Sequence, residues 1–508
     1  MKSISAEEGL VAIPYSGEFS QYGRLYQVAK LYMFAPASGL FSCPLAMTDG
    51  AAATLQLLGV KGDALKRLTS RDPKTFWTSG QWMTEPRGGS DVNSSTETVA
   101  VPDEEGKWRL HGYKWFSSAT DSDMALTLAR VVRDGRIGGL SMFYLKTRGE
   151  DGQLNGIQVL NPILISPPTK VCKGGQDEEQ AGNAPATDGR AAPGRNGGSD
   201  GGGGGPRHCQ HQLHAHRHQV ALPLFHNHLL PLRLHNTAAA VGSMRKVTSL
   251  ARDYATRRQA FGKRLAEHPL HIQTLARMEV ETRGCLVLLL ELARLQGRVE
   301  QGVAGDQDAL LLRLFTPVAK FYTAKAAVAT VSEGLECFGG QGYIEDTGLP
   351  GLLRDAQVLP IWEGTSSVMA LDVLRALGKS RYAALSALQH RLAAILAEGE
   401  LVSTLASPLN HLSSALAAFQ SLKLSELPQA GARDLSLSLA QVFIGGLLVE
   451  HAAATQRAED ARAASHWCSR RDLVPVVGGV ERGEYADEMV QDQGNMVFSG
   501  YSQANTFL

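Results

Sequence analysis

The sequence predicts an α+β protein that is mainly α, with N-terminal helices, a middle β domain, a C-terminal helical bundle and a helical extension. Three changes of texture predict it. Around residues 46–58 small apolar residues mix with leucine and methionine, which suits buried helices. From residue 76 to 160, short runs such as Thr96-Glu97-Thr98-Val99-Ala100-Val101, Met124-Ala125-Leu126-Thr127-Leu128-Ala129 and Ser141-Met142-Phe143-Tyr144-Leu145 alternate with Gly, Asp and Asn turns. Beyond Thr237 the chain is rich in Ala, Leu and Arg at three-to-four spacing.

These textures divide the chain into an N-terminal helical part (1–75), a β domain (76–170), an atypical segment (171–235), a helical bundle (236–395) and an extension (396–508). Within the bundle the periodicity predicts helices over 237–261, 268–300, 306–338 and 365–398. Pro408 and Asn410 mark a boundary, after which residues 412–464 read as further helices.

Composition narrows the function classes. A chain of 508 residues supports about two to four domains. Its formal charge is zero, so nothing in the overall balance points to nucleic acid or an anionic membrane. Cys43, Cys172, Cys209, Cys285, Cys337 and Cys468 are scattered, which fits a reducing compartment rather than a disulfide scaffold. The apolar stretch 435–449 is closed off by Asp434 and Glu450, short of the roughly 20 residues of a membrane helix. The chain is therefore expected to be soluble and intracellular, without a membrane partner, and cytoplasmic or organellar. The first ten residues carry two acids and one lysine, unlike a mitochondrial presequence.

Segment 171–235 fits neither texture. Its first half is Gly, Asp, Asn and Ala, ending in Gly201 through Gly205; its second half holds eight of the fifteen histidines. Three readings stand: a metal-binding tract, a disordered linker, or a stretch from a wrong frame or unspliced intron. The last is preferred. No Cys or carboxylate arrangement defines a metal site, and a Gly-rich tract is a poor source of buried strands.

Four islands carry chemistry. They are Met83-Thr84-Glu85-Pro86-Arg87-Gly88-Gly89-Ser90-Asp91-Val92, Arg258-Gln259-Ala260-Phe261-Gly262, Cys337-Phe338-Gly339-Gly340-Gln341-Gly342-Tyr343 and Pro360-Ile361-Trp362-Glu363-Gly364-Thr365. Each is weak singly. Together and in this order they resemble the acyl-CoA dehydrogenase family of flavoproteins, over roughly residues 20–165 and 235–380. The resemblance implies an N-terminal helical domain of which little fits upstream of Gln81, so the N-terminus reads as truncated. It also implies a β-barrel middle domain and a helical bundle.

By this resemblance the chain binds FAD and oxidises an acyl-CoA thioester to its trans-2-enoyl product, passing electrons to an unidentified acceptor. An α proton beside a thioester is weakly acidic, so its removal needs a positioned base, with a hydride acceptor on the far side of the substrate. Glu363 is the implied base, and apolar neighbours such as Ile361 and Trp362 would raise its pKa. Its bland rival is a surface acid capping the next helix. Met83, Thr84, Gly89 and Ser90 match a flavin loop, the rival being an ordinary hairpin loop. Trp115 and Ser117, after Gly112-Tyr113-Lys114, match the second flavin strand, against an ordinary buried tryptophan. Trp362 and Thr365 flank the base on the cofactor side.

Arg258 resembles the arginine that reaches a diphosphate of the neighbouring subunit's FAD, Phe261 would pack at the adenine, and Gly339 and Gly340 would let backbone approach the phosphates. A homodimer or homotetramer follows from that sharing. No resident metal is expected. Gly-Gly-Ser-Asp-Val, Trp362 and His235-Asn236 resemble the AidB-like branch, whose members respond to alkylation and in bacteria associate with DNA. Residues 386–508 hold eight basic against thirteen acidic residues, a net −5, so DNA is a disfavoured partner.

Overall fold

The computed structural model describes residues 1–60, 62–149, 151–159, 213–220 and 222–499, the backbone alone over 213–220 and 222–229. Helices α1 (Lys2–Glu7), α2 (Gly23–Phe34), α3 (Ser42–Leu57) and α4 (Asp63–Leu68) form the N-terminal part. α3 is almost wholly buried, packing on the bundle and the first strand. Small residues Gly50, Ala51 and Ala52 bring its axis close to those neighbours.

Strands β1 (Ser79–Trp82), β2 (Val99–Pro102), β3 (Trp108–His111), β4 (Met124–Arg133), β5 (Arg136–Lys146) and β6 (Leu213–Val220) make one sheet, with the short α5 (Val92–Ser95) in the loop after β1. Five strands close in a ring, β4 to β2, β3, β6, β5 and back to β4, and β1 adds to β4 in parallel. Ring closure removes the free edges that would invite aggregation. Trp82, Trp108, Leu110, Ala129, Phe143 and Leu145 fill the interior. The Trp108 and Phe143 rings lie 5.9 Å apart.

The strand that closes the ring comes from within segment 171–235. Its register sets Trp108 against Ala215, Arg109 against His214 and Tyr144 against His216. A strand is held chiefly by backbone hydrogen bonds, and Leu213 to Val220 alternates histidine with other residues at period two. The expectation that this segment lacks strand material is corrected for these eight residues. The Gly-rich half, and with it the metal-tract and wrong-frame readings of 171–212, lies outside the described residues.

The bundle consists of α6 (Leu222–Arg257), α7 (Pro269–Glu300), α8 (Asp306–Glu336), α9 (Leu349–Val358) and α10 (Ser366–Lys379). α6 therefore starts 14 residues before the expected boundary at 236, with Pro231 inside it. The helix expected over 365–398 is two, because Arg381 and Tyr382 turn left-handed before α11 (Ala383–Gly399). The extension adds α12 (Ala406–Gln420), α13 (Ala432–Thr455), α14 (Ala458–Ser469), α15 (Pro475–Glu481) and α16 (Asp487–Val497).

The stretch Gln429–Thr455 is long and apolar enough to cross a membrane by composition, but 67% of its most apolar window is buried inside the fold. Phe315 of α8 meets Phe443 of α13 with centroids 4.2 Å apart. Arg471 stacks 3.6 Å over Trp467 and pairs with Glu281 of α7 at 3.1 Å. Gly284 makes room for that tryptophan, since a Cβ there would lie 2.4 Å from its ring. Bundle and extension thus share one core.

Candidate active site

Two loops of the β domain meet at the predicted flavin face. The Trp115 backbone N–H donates to the Thr84 carbonyl at 2.8 Å, so the first and second flavin segments are joined. Glu85 fixes this junction from beneath. It accepts from Lys114 Nζ and Thr98 Oγ1, both at 2.5 Å, and from the Glu97 backbone N–H at 2.6 Å. Burial alone would raise the Glu85 carboxyl, but these donors, Lys114 first, hold it below its ordinary value. Met83 is buried, Thr84 half-buried, and Gly89 and Ser90 exposed; Trp115 and Ser117 are half-buried, so their loops offer hydroxyls and an aromatic face to a ligand.

Across from these loops lies the base segment. Trp362, Glu363 and Gly364 form the step between α9 and α10, with Glu363 at φ +56° and Gly364 at φ +102°. A left-handed glutamate costs about 1–2 kcal/mol, and such strain gathers at functional sites. Gly364 cannot be replaced lightly, because a Cβ would also lie 2.4 Å from Met369 Cε. Thr365, exposed, occupies the N-cap of α10, although its side chain makes no capping hydrogen bond. Glu363 lies two residues before that cap, and its carboxyl faces a cavity instead.

The cavity is lined by Ser42, Cys43, Met47, His235, Asn236, Trp362 and Glu363, among others. Burial lifts the Glu363 carboxyl above its ordinary value, against the pull of Arg233 and Lys320. Lys320, fully buried on α8, donates to the Gly364 carbonyl at 2.5 Å, and burial drags its ammonium down to about 7. Cys43 lines the cavity with Glu363 and is hydrogen-bonded with Ser118. Its thiol is pushed up to about 12 by burial and then by the Glu363 charge, so it stays protonated and is no nucleophile at neutral pH.

Three polar atoms around this cavity lack partners among the described residues: His235 Nδ1, Asn236 Oδ1 and Trp362 Nε1. His235 and Asn236 are 2% and 5% exposed. Each has a second atom committed, His235 Nε2 to Asp49 at 2.9 Å and Asn236 Nδ2 to the Leu359 carbonyl at 3.2 Å. Buried polar atoms left open in a cavity suit a ligand with polar groups.

A second cavity holds one of the other predicted residues, Arg258. Arg258 lines it with Tyr254, Arg257, Phe338, Gln341, Thr347 and Leu349. The Gly339–Gly342 turn forms its edge, Gly339 left-handed at φ +59°. Gly340 has open space around it, whereas a Cβ at Gly342 would lie 2.1 Å from the Leu335 carbonyl oxygen. The Arg258 guanidinium has no ion-pair partner among the described residues, and Phe261 is 98% exposed. The two cavities share no lining residue, so Arg258 and Glu363 belong to different cavities of the chain.

These residues fit FAD. An unpaired guanidinium and a glycine turn suit a diphosphate, while half-buried hydroxyls and a tryptophan beside the base suit a flavin ring. Sequence reasoning missed Ser42, Cys43, Arg233, Asn236 and Lys320 as site residues. His235-Asn236 reads from the sequence as a branch feature and not as part of the site, because it closes the His-rich stretch; Cys43 and Lys320 carry no local signal at all. Among the described residues no group of three His, Cys, Asp or Glu could hold a metal.

Comparisons with known proteins place the chain among known families. Family models match in three places: acyl-CoA dehydrogenase, middle domain, over residues 80–164; acyl-CoA dehydrogenase, C-terminal domain, over 222–378; and acyl-CoA dehydrogenase 11 C-terminal domain-like over 383–498. Acyl-CoA dehydrogenase family member 11 of Caenorhabditis elegans is 42% identical over 99% of this chain and 80% of its own length. The crystal structure of ACDH-11 from that organism in complex with C11-CoA superimposes with a TM-score of 0.82 at 40% identity, covering 99% of this chain and 83% of that one. AidB of Escherichia coli is 35% identical over 59% of this chain and 48% of its own length. The chain belongs to the acyl-CoA dehydrogenase family.

Proposed function

We propose that the protein is an FAD-dependent acyl-CoA dehydrogenase that desaturates an acyl-CoA thioester between its α and β carbons. One observation carries the reading: Glu363 is the acid of the cavity, raised by burial, and it shares that cavity with Cys43, which hydrogen-bonds Ser118 at the end of the second flavin segment. A carboxylate with a raised pKa is a stronger base, suited to a weakly acidic carbon. Bound FAD would supply the hydride acceptor.

The chain's own residues do the rest. Trp362 and Met47 wall the cavity against water around the base. Glu363 takes the α proton onto its carboxylate. Thr84, Ser90, Ser117 and Trp115 would hold the flavin ring, with Met83 and Gly89 shaping the loop and Trp362 and Thr365 flanking the base. Arg258, Phe261, Gly339 and Gly340 would hold the diphosphate and adenine. Since Arg258 lines a separate cavity from Glu363, the reading includes a homodimer or homotetramer in which subunits share cofactors. The substrate is an acyl-CoA, supported by the C11-CoA held by the 40% identical relative. Electrons leave to a separate acceptor.

The test is the visible spectrum of the purified protein and anaerobic addition of C11-CoA. Flavin bands that bleach support the reading, and Glu363→Gln should slow bleaching by about 10²–10⁴-fold with the bands intact. A colourless protein, or bleaching untouched by the substitution, would sink it. DNA association gains no support, because the extension is acidic.

A further inference from the structure

Lys320 is 0% exposed, and among the described residues its only hydrogen bond is to the Gly364 carbonyl. No carboxylate lies within 4.0 Å of it among those residues. A lysine fully buried on a core helix is unusual, since an apolar side chain of similar length would avoid desolvating a charge. The other cation here is already engaged: Arg233 pairs with Asp372 at 2.7 Å, and Asp372 also takes Arg313 at 2.8 Å and Arg375 at 3.1 Å. Lys320 is thus the cation with no anion of its own, and it holds the residue that follows the base.

We propose that Lys320 is a positioning residue for Glu363: its Nζ pins the left-handed Glu363–Gly364 step through the Gly364 carbonyl, and its charge keeps the neighbouring carboxylate ionised. The proposal rests on the reading of Glu363 as base. The hydrogen bond fixes the turn where φ is positive at two successive residues, so the carboxyl is presented to the cavity rather than folded onto α10. The charged and titratable groups facing this spot are Glu363 on the turn, Arg233 on α6, Asp372 on α10, Cys43 on α3 and, from α6 across the cavity, His235, whose Nε2 is engaged by Asp49. Asp372 is saturated by three arginines and Cys43 stays a thiol, which leaves Lys320 and Arg233 to act on Glu363. Below neutral pH the ammonium offsets the cost of an ionised Glu363; above it, the free amine still donates to the carbonyl.

Two substitutions separate the roles. Lys320→Gln keeps a donor for the carbonyl without charge, and Lys320→Met keeps neither. With FAD-loaded protein and C11-CoA, Lys320→Met should keep its melting temperature and C11-CoA affinity while bleaching slows at least about 10-fold, one pKa unit being tenfold in population. Lys320→Gln should recover the rate at high pH, but the acid limb of its pH profile should move up by about one unit. The second readout needs no turnover: the pH at which the Glu363 carboxyl ionises, by infrared difference against Glu363→Gln in the apoprotein, should rise in both variants. Rates, acid limb and infrared titration equal to the parent's would overturn the proposal. If Lys320→Met fails to fold, the infrared titration of Lys320→Gln decides. Should Glu363→Gln itself bleach normally, the base assignment has failed; if it is inert while both Lys320 variants follow the parent, only the role of Lys320 is lost.

Discussion

Asp49 and Glu363 lie at two ends of the same neighbourhood, joined by the His235 ring, yet burial has opposite results for them. Asp49 is fully buried, and burial alone would raise its carboxyl, but Arg24 at 2.6 Å, His235 at 2.9 Å and Gln27 at 2.9 Å hold it well below the usual range. Glu363 has no donor in contact among the described residues, and its two nearby cations act only at a distance, so burial wins. Asp372 and Glu85 side with Asp49. A buried carboxylate with every oxygen answered is structural; one left unanswered beside a cavity is available for chemistry.

The largest way to break this contrast is Asp49→Ala. It removes one of the two carboxylates paired with Arg24, Glu300 remaining at 2.7 Å, leaves donors of Arg24, Gln27 and His235 unanswered, and should cost about 1–3 kcal/mol of stability. Chemical denaturation measures it, and a loss under about 1 kcal/mol would mean the network is decorative. Next comes pH. Asp49, Asp372 and Glu85 all have depressed folded values, so their stabilisation is complete above the unfolded carboxylate range near 4 and is lost as pH falls through the folded values. Melting should hold nearly level from about pH 8 to 5 and drop below about pH 4; a flat curve through pH 3 would contradict the pairing.

The smallest effect sharpens the contrast from the other side. Glu363 has a raised folded value, so ionising it costs stability above that value, and the cost vanishes below the unfolded one. Glu363→Gln should therefore melt about 1–3 °C above the parent at pH 8, with the gap closing toward pH 4. A lower melting temperature at pH 8 would show that the carboxylate is paired after all.

Much of the architecture was legible. The helices expected over 268–300 and 306–338 appear as Pro269–Glu300 and Asp306–Glu336, because long amphipathic runs state their period clearly. Strands β4 and β5 were visible for the same reason, whereas Trp108–His111 has four residues, too short for a period to show. α9, a helix of ten residues between the glycine turn and the base segment, has no element assigned to it from the sequence. At the site, Glu363 could be found because its neighbours form a recognisable string. Cys43, Arg233 and Lys320 could not, since their roles arise from three different helices converging on one turn.

One helix ties both cavities together. α6 carries Arg233, His235 and Asn236 near its start and delivers Arg258 just past its end, about 36 Å away at 1.5 Å per residue. Such a rod behaves as a ruler. Inserting or deleting a single residue between Asn236 and Arg257 would turn everything beyond it by about 100°, swinging Arg258 off the face that holds the glycine turn. Related chains should therefore vary freely in length before Leu213 and hardly at all along this stretch, a pattern of tolerated gaps that counts the distance between the two halves of the site.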